Sequence, residues 1–111
     1  MTDLVLLTDI NVLDKLVKII TSNKKKNYVI VSDSDYMKTI SRTHIVRSEN
    51  VKIVVFKKHF MLEEKVVKLL TDVKPDRIID CDPLNKLIYI KKYISSLKVN
   101  KINCVEFINS E

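Results

Sequence analysis

The chain has 111 residues, 46% of them hydrophobic, and a net charge of +6. That suffices for one domain (1–111) to bury roughly two-thirds of its unfolded surface. No apolar run approaches the roughly 20 residues of a membrane span and Met1-Thr2-Asp3 lacks a basic signal-like start, so a cytoplasmic protein without membrane contact is expected.

The elements follow in order. Leu4-Val5-Leu6-Leu7 is a continuous apolar run, the signature of a strand covered on both faces. Asp9 or Asn11 can cap the next helix, whose inward stripe is Val12, Leu13, Leu16, Val17 and Ile20. A polar turn, Ser22 to Asn27, leads to the second buried strand, Tyr28 to Val31, which stops at Ser32-Asp33-Ser34-Asp35. Residues 36–47 read as a short helix with Met37 and Ile40 inward, then a loop. Val51 to Phe56 is the third strand, and His59 to Val73 a helix with Leu62, Val66, Leu69, Leu70 and Val73 inward. Pro75 ends it, and Arg77 to Cys81 is the fourth strand. Asp82 is placed to cap a helix opened by Pro83, with Leu84, Leu87, Ile90, Ile94 and Leu97 inward. Ile102 to Ile108 reads as the fifth strand.

Strands alternating with helices at this spacing make parallel crossover units. The expected fold is α/β, a single three-layer, doubly wound domain with a five-stranded, mostly parallel sheet. Cys81 and Cys104 both fall inside predicted strands, the usual setting of small buried thiols. A disulfide is not expected in a reducing compartment, nor is a metal site without ligand spacing.

In such a sheet all strand-to-helix loops share one edge. That carboxyl edge, where ligands bind in this class, receives Asp9, Asp33, Asp35, Asp80 and Asp82, with Lys57, Lys58 and His59 as candidate anion contacts. The opposite edge receives Lys24, Lys25, Lys26, Lys74, Lys98 and Lys101, candidate contacts for nucleic acid. Arginine, the better phosphate fork, occurs only at 42, 47 and 77, and no aromatic residue is interleaved with those lysines. The aspartates serve as helix caps, as hydroxyl-binding groups, or as a magnesium site for phosphoryl chemistry. The last reading lacks an Asp after the third strand and a DxD after the first, and His44 and His59 have no nucleophile in a hydrolase setting.

Glycine is absent altogether, although average usage would give roughly eight. Alanine, glutamine and tryptophan are missing as well, as AT-rich codon usage would produce for glycine and alanine. Yet a phosphate-binding turn needs glycine for its tight bend and for close approach to a pyrophosphate.

Val31-Ser32-Asp33-Ser34-Asp35, Leu69 to Asp80 and Asp82-Pro83-Leu84-Asn85-Lys86-Leu87 together resemble the N-terminal Rossmann domain of potassium-conductance regulators, the RCK or KTN family. The resemblance implies a Rossmann-like fold, a ribose-binding acid at Asp33 and an Asn-containing helix start at Asn85. The family's G-x-G-x-x-G is replaced by Thr8-Asp9-Ile10-Asn11-Val12-Leu13, where Ile10 and Leu13 block backbone approach and Asp9 opposes a pyrophosphate. The chain thus reads as a degenerate member that has lost its cofactor, a non-catalytic module acting through protein association, as a homodimer or with another protein, or through an altered crevice. The crevice residues are Thr8, Asp9, Asn11, Asp33, Asp35, Asp80, Asp82 and Asn85. The alternatives are a nucleic-acid-binding protein and a magnesium-dependent nuclease or phosphatase.

Overall fold

The computed structural model describes residues 2–33, 36, 48–56 and 62–110. The elements run β1 (Thr2–Leu7), a 3-10 turn (Ile10–Val12), α1 (Leu13–Ser22), β2 (Asn27–Asp33), β3 (Val51–Phe56), α2 (Leu62–Val73), β4 (Arg77–Cys81), α3 (Ile88–Ile94), β5 (Asn100–Asn103) and α4 (Cys104–Ser110). All but Tyr36 of the segment 36–47 expected to hold a helix, the start of the helix expected from His59, and Asp35, Lys57, Lys58 and His59 lie outside the described residues.

The five strands form one all-parallel sheet in the order β3-β2-β1-β4-β5. The apolar runs of β1 and β2 send alternate side chains to opposite faces, as the pleat requires. Val5, Leu7 and Ile30 meet Leu13, Leu16 and Ile20 of α1 and Phe107 of α4 on one face. Leu4, Leu6 and Val29 meet Val66 of α2 and Ile90 and Ile94 of α3 on the other. The result is the α/β, three-layer, Rossmann-like arrangement expected. The order of strand addition reverses at β1: β2 and β3 are added on one side of it, β4 and β5 on the other, and β4 runs parallel to β1, pairing Leu4 with Ile78 and Leu7 with Cys81. The carboxyl ends of these two strands are therefore the topological switch point, where this architecture opens a crevice.

Polar side chains tie the ends of the elements together. Asn50 donates through Nδ2 to the carbonyls of Ile20, Asn23 and Lys26 at 3.1, 3.1 and 3.0 Å, satisfying the end of α1. At the amino edge the buried Asp3 carboxylate pairs with Arg77 at 2.7 Å and Lys26 at 3.3 Å, tying together β1, the approach to β2, and β4.

Two expectations about the C-terminal third are corrected. The helix after β4 begins at Ile88, not Pro83; residues 83–87 are turns, and Leu84 is 77% exposed instead of inward. Asn85 takes a positive φ of 53° there, which breaks helical continuity. Leu87, Ile90 and Ile94 are buried as expected. The fifth strand is Asn100–Asn103 and stops where Ile102 to Ile108 was expected to continue. Asn103 caps α4: its Oδ1 accepts from the Glu106 backbone amide at 2.8 Å, and its Nδ2 donates to the Glu106 carboxylate at 3.2 Å. That reciprocal pair caps the first turn and diverts the chain into helix. Cys104 and Phe107, three residues apart, then face the sheet together.

Candidate functional site

The site is built at the switch point by the segments leaving β1 and β4. After β1 the amides of Thr8 and Asp9 both donate to the Cys81 carbonyl at 3.1 Å. The Asp9 carboxylate accepts from the Asn11 amide at 3.0 Å, the Val12 amide reaches the Asp9 carbonyl at 3.4 Å, and the Leu13 amide returns to the Ile10 carbonyl. The amides of Thr8, Asp9, Asn11, Val12 and Leu13 thus all have partners inside the chain. In a phosphate-binding turn such amides point at the ligand. Leu13 is packed in the core, whereas Ile10 is 52% exposed and does not fill the crevice.

Asp82, one residue beyond β4, locks this turn from the other side. Its Oδ1 accepts from the Thr8 hydroxyl at 2.5 Å and the Lys86 amide at 2.9 Å; its Oδ2 accepts from the Leu87 amide at 2.7 Å and pairs with Lys91 Nζ at 3.1 Å. A carboxylate offers about four acceptor positions, and here each has a donor. Burial pushes the Asp82 pKa up, but the bonds from Thr8, Leu87, Lys86 and Lys91 outweigh it and hold the group below its ordinary value. Lys91 also reaches Asp80 at 3.2 Å, the Asp82 carbonyl at 2.9 Å and Asn85 Oδ1 at 2.8 Å, so one ammonium ties together much of the acidic edge.

Between these segments and α4 lies a cleft of about 280 Å³. Of the residues expected from the sequence, Asp9, Asp80, Asp82 and Asn85 line it. Thr8 is buried behind the turn, Asn11 is exposed outside the lining, and Asp33 ends the neighbouring β2 strand, also outside it. The rest of the wall was missed: Val12, Cys81 and Pro83 come from the same two segments, and Asn103, Cys104 and Val105 enter because α4 turns back over the sheet. The Asn103-to-Glu106 spacing was the available signal. Lys91 was missed too, since nothing local marks a helix lysine as the partner of an upstream aspartate.

Cys81 and Cys104 directly follow the ladder pair Asp80–Asn103 and pack in the same core cluster. The Cys81 thiol is held far above the usual thiol range, first by the neighbouring Cys104 thiol, then by burial and by the negative charge of Asp80 and Asp9. Cys104 is pulled below it by the Cys81 thiol, against burial and the same carboxylates. Among the described residues no group of three or more His, Cys, Asp or Glu side chains is arranged to hold a metal ion.

At the opposite edge Lys24, Lys25, Lys74, Lys98 and Lys101 are exposed, and Lys26 is half-buried against Asp3. A second, shallower groove of about 600 Å³ runs between β3 and α2, where Val54, Val55, Phe56 and Leu69 lie among Lys52, Lys65 and Lys68. Among the described residues no helix is long and apolar enough to cross a membrane. Comparison of the chain with protein-family models, with curated proteins and with solved structures finds no match.

Proposed function

We propose that this chain is a non-catalytic Rossmann-like module, a degenerate relation of the RCK or KTN domain, that acts through protein association and takes no dinucleotide in its switch-point crevice. The observation that carries the reading is the internal engagement of the turn amides of Thr8, Asp9, Asn11, Val12 and Leu13, reinforced by Asp82, which bonds the Thr8 hydroxyl. A pyrophosphate placed there would meet occupied donors and the Asp9 carboxylate. Association is supported by β3, an edge strand of the sheet among the described residues, whose apolar residues border the groove against α2. An outermost strand presents backbone groups to a partner.

Thermal unfolding in the presence of NAD, ATP and cyclic dinucleotides tests the closed crevice. A ligand at a hundred times its Kd stabilises a protein by about 2.7 kcal/mol, which is several degrees in Tm. No shift is expected from any of the three; a rise of several degrees overturns the reading. The lysine-bearing edge supports the alternative of nucleic-acid binding, and DNA in the same assay decides it. A stabilisation that falls steeply with salt would favour that alternative.

A further inference from the structure

Cys81 and Cys104 are the only cysteines of the chain, and they come from elements far apart in sequence. Cys81 ends β4, fixed by its ladder to Leu7 of β1. Cys104 opens α4, fixed by the Asn103 cap and by the fully buried Phe107 ring. Both thiols are free, both line the cleft, both pack in one core cluster, and each directly follows a residue of the ladder pair Asp80–Asn103. Neighbouring strands run about 4.8 Å apart, so this register sets the two cysteines side by side. Neither thiol is used by the closed turn or by the Asp82 anchor.

We propose that Cys81 and Cys104 form a redox-active dithiol that is oxidised to an intramolecular disulfide by exchange with a small disulfide entering the cleft. Cys104, the more exposed of the two at 9% against 1%, acts first. It gives its proton to solvent, and its thiolate attacks one sulfur of the incoming disulfide. The S–S bond of that molecule breaks and one thiolate leaves. Cys81 then loses its proton and attacks Cys104 Sγ of the mixed disulfide, forming the Cys81–Cys104 bond and expelling the second thiolate. Two protein thiols have lost two electrons, and the incoming disulfide has gained them; the two protons end on the two released thiols. The depressed pKa of Cys104 and the raised pKa of Cys81 fit nucleophile and resolving thiol respectively.

The cleft also sets a charge preference. Asp9, Asp80 and Asp82 line it, Asp82 is neutralised by Lys91, and Asp80 shares that lysine. The surplus is negative, so a cationic disulfide should enter more readily than an anionic one.

The test incubates the reduced, folded protein with cystamine or with glutathione disulfide, quenches with an alkylating agent, and reads intact mass and a peptide map. The expected product is a Cys81–Cys104 link with loss of two hydrogens, formed several-fold faster with cystamine at low salt. Cys81→Ser should stop at a stable single adduct on Cys104, and Cys104→Ser should remove the fast reaction. Asp9→Asn should narrow the gap between the two reagents. Persistence of two alkylated thiols in the wild type overturns the proposal, as does a link that forms only when urea is added. The wild-type peptide map distinguishes these outcomes even if a serine variant fails to fold.

Discussion

Asp82 shows how much of this site is held by a single side chain. It is buried, and its four donors come from the turn after β1, the turn after β4 and α3. Asp82→Ala would strand the Thr8 hydroxyl and two amides and leave Lys91 with Asp80 in place of two carboxylates. Breaking a buried pair from one side costs about 3–5 kcal/mol, a large part of the 5–15 kcal/mol that stabilises a typical domain. Asp82→Asn keeps the shape but turns an amide hydrogen toward existing donors, and about 3 kcal/mol is expected. The pH dependence follows from the lowered pKa. A carboxylate whose folded pKa lies below its unfolded value of about 3.9 adds stability above that value and loses it as pH falls through the folded one. Urea unfolding at pH 7 and pH 3 should therefore show a wide gap between wild type and Asp82→Asn that narrows in acid. A gap that is the same at both pH values would mean that the charge on Asp82 contributes nothing.

At the scale of elements, a chain without glycine must put other residues where the backbone turns left-handed. Lys74 does so at the end of α2, with φ 47° and its amide bonded to the Leu70 carbonyl at 3.1 Å. This is the left-handed helix terminus that glycine normally occupies, and a residue with a Cβ is strained there by about 1–2 kcal/mol. Lys74→Gly relieves that strain and loses part of the gain to the freer unfolded chain. A net stabilisation of roughly 0.5–1 kcal/mol is expected, read as a Tm a few degrees higher. No change, or a fall, would show that the Lys74 side chain contributes packing that offsets its backbone. The same positional logic explains what sequence could disclose. β3 (Val51–Phe56) and β4 (Arg77–Cys81) were legible to the residue, because apolar runs bounded by polar turns have one reading. Residues 100–110 were not: Ile102, Cys104 and Ile108 alternate like a strand, while Cys104 and Phe107 also share a helix face, and the capping pair decides between them. Asp9, Asp80 and Asp82 could be assigned to the cleft from edge logic alone and Asn85 from the family resemblance, whereas Cys104, Asn103 and Lys91 depend on how α4 and α3 fold back.

For the whole molecule the question is whether the dinucleotide site is merely unlettered or structurally replaced. Restoring the pattern as Thr8→Gly, Ile10→Gly and Leu13→Gly separates these. If only the letters were lost, the triple variant should gain NAD binding. The packing argues otherwise. Leu13 is a core residue of α1, and deleting a buried leucine costs about 2–5 kcal/mol, with roughly 0.5–1 kcal/mol more for glycine in a helix. Thr8→Gly also removes the hydroxyl that Asp82 holds. Ile10 is half-exposed in the 3-10 turn, so Ile10→Gly alone should cost about 1 kcal/mol at most. The amides of residues 8 and 9 would still face the Cys81 carbonyl, and the Asp9 carboxylate would remain. The expected outcome is a variant destabilised by at least about 3 kcal/mol in urea that still shows no heat of binding with NAD. Calorimetric binding by the triple variant would mean that the crevice was blocked by side chains alone, and that the bonds from the turn to β4 yield when a phosphate arrives.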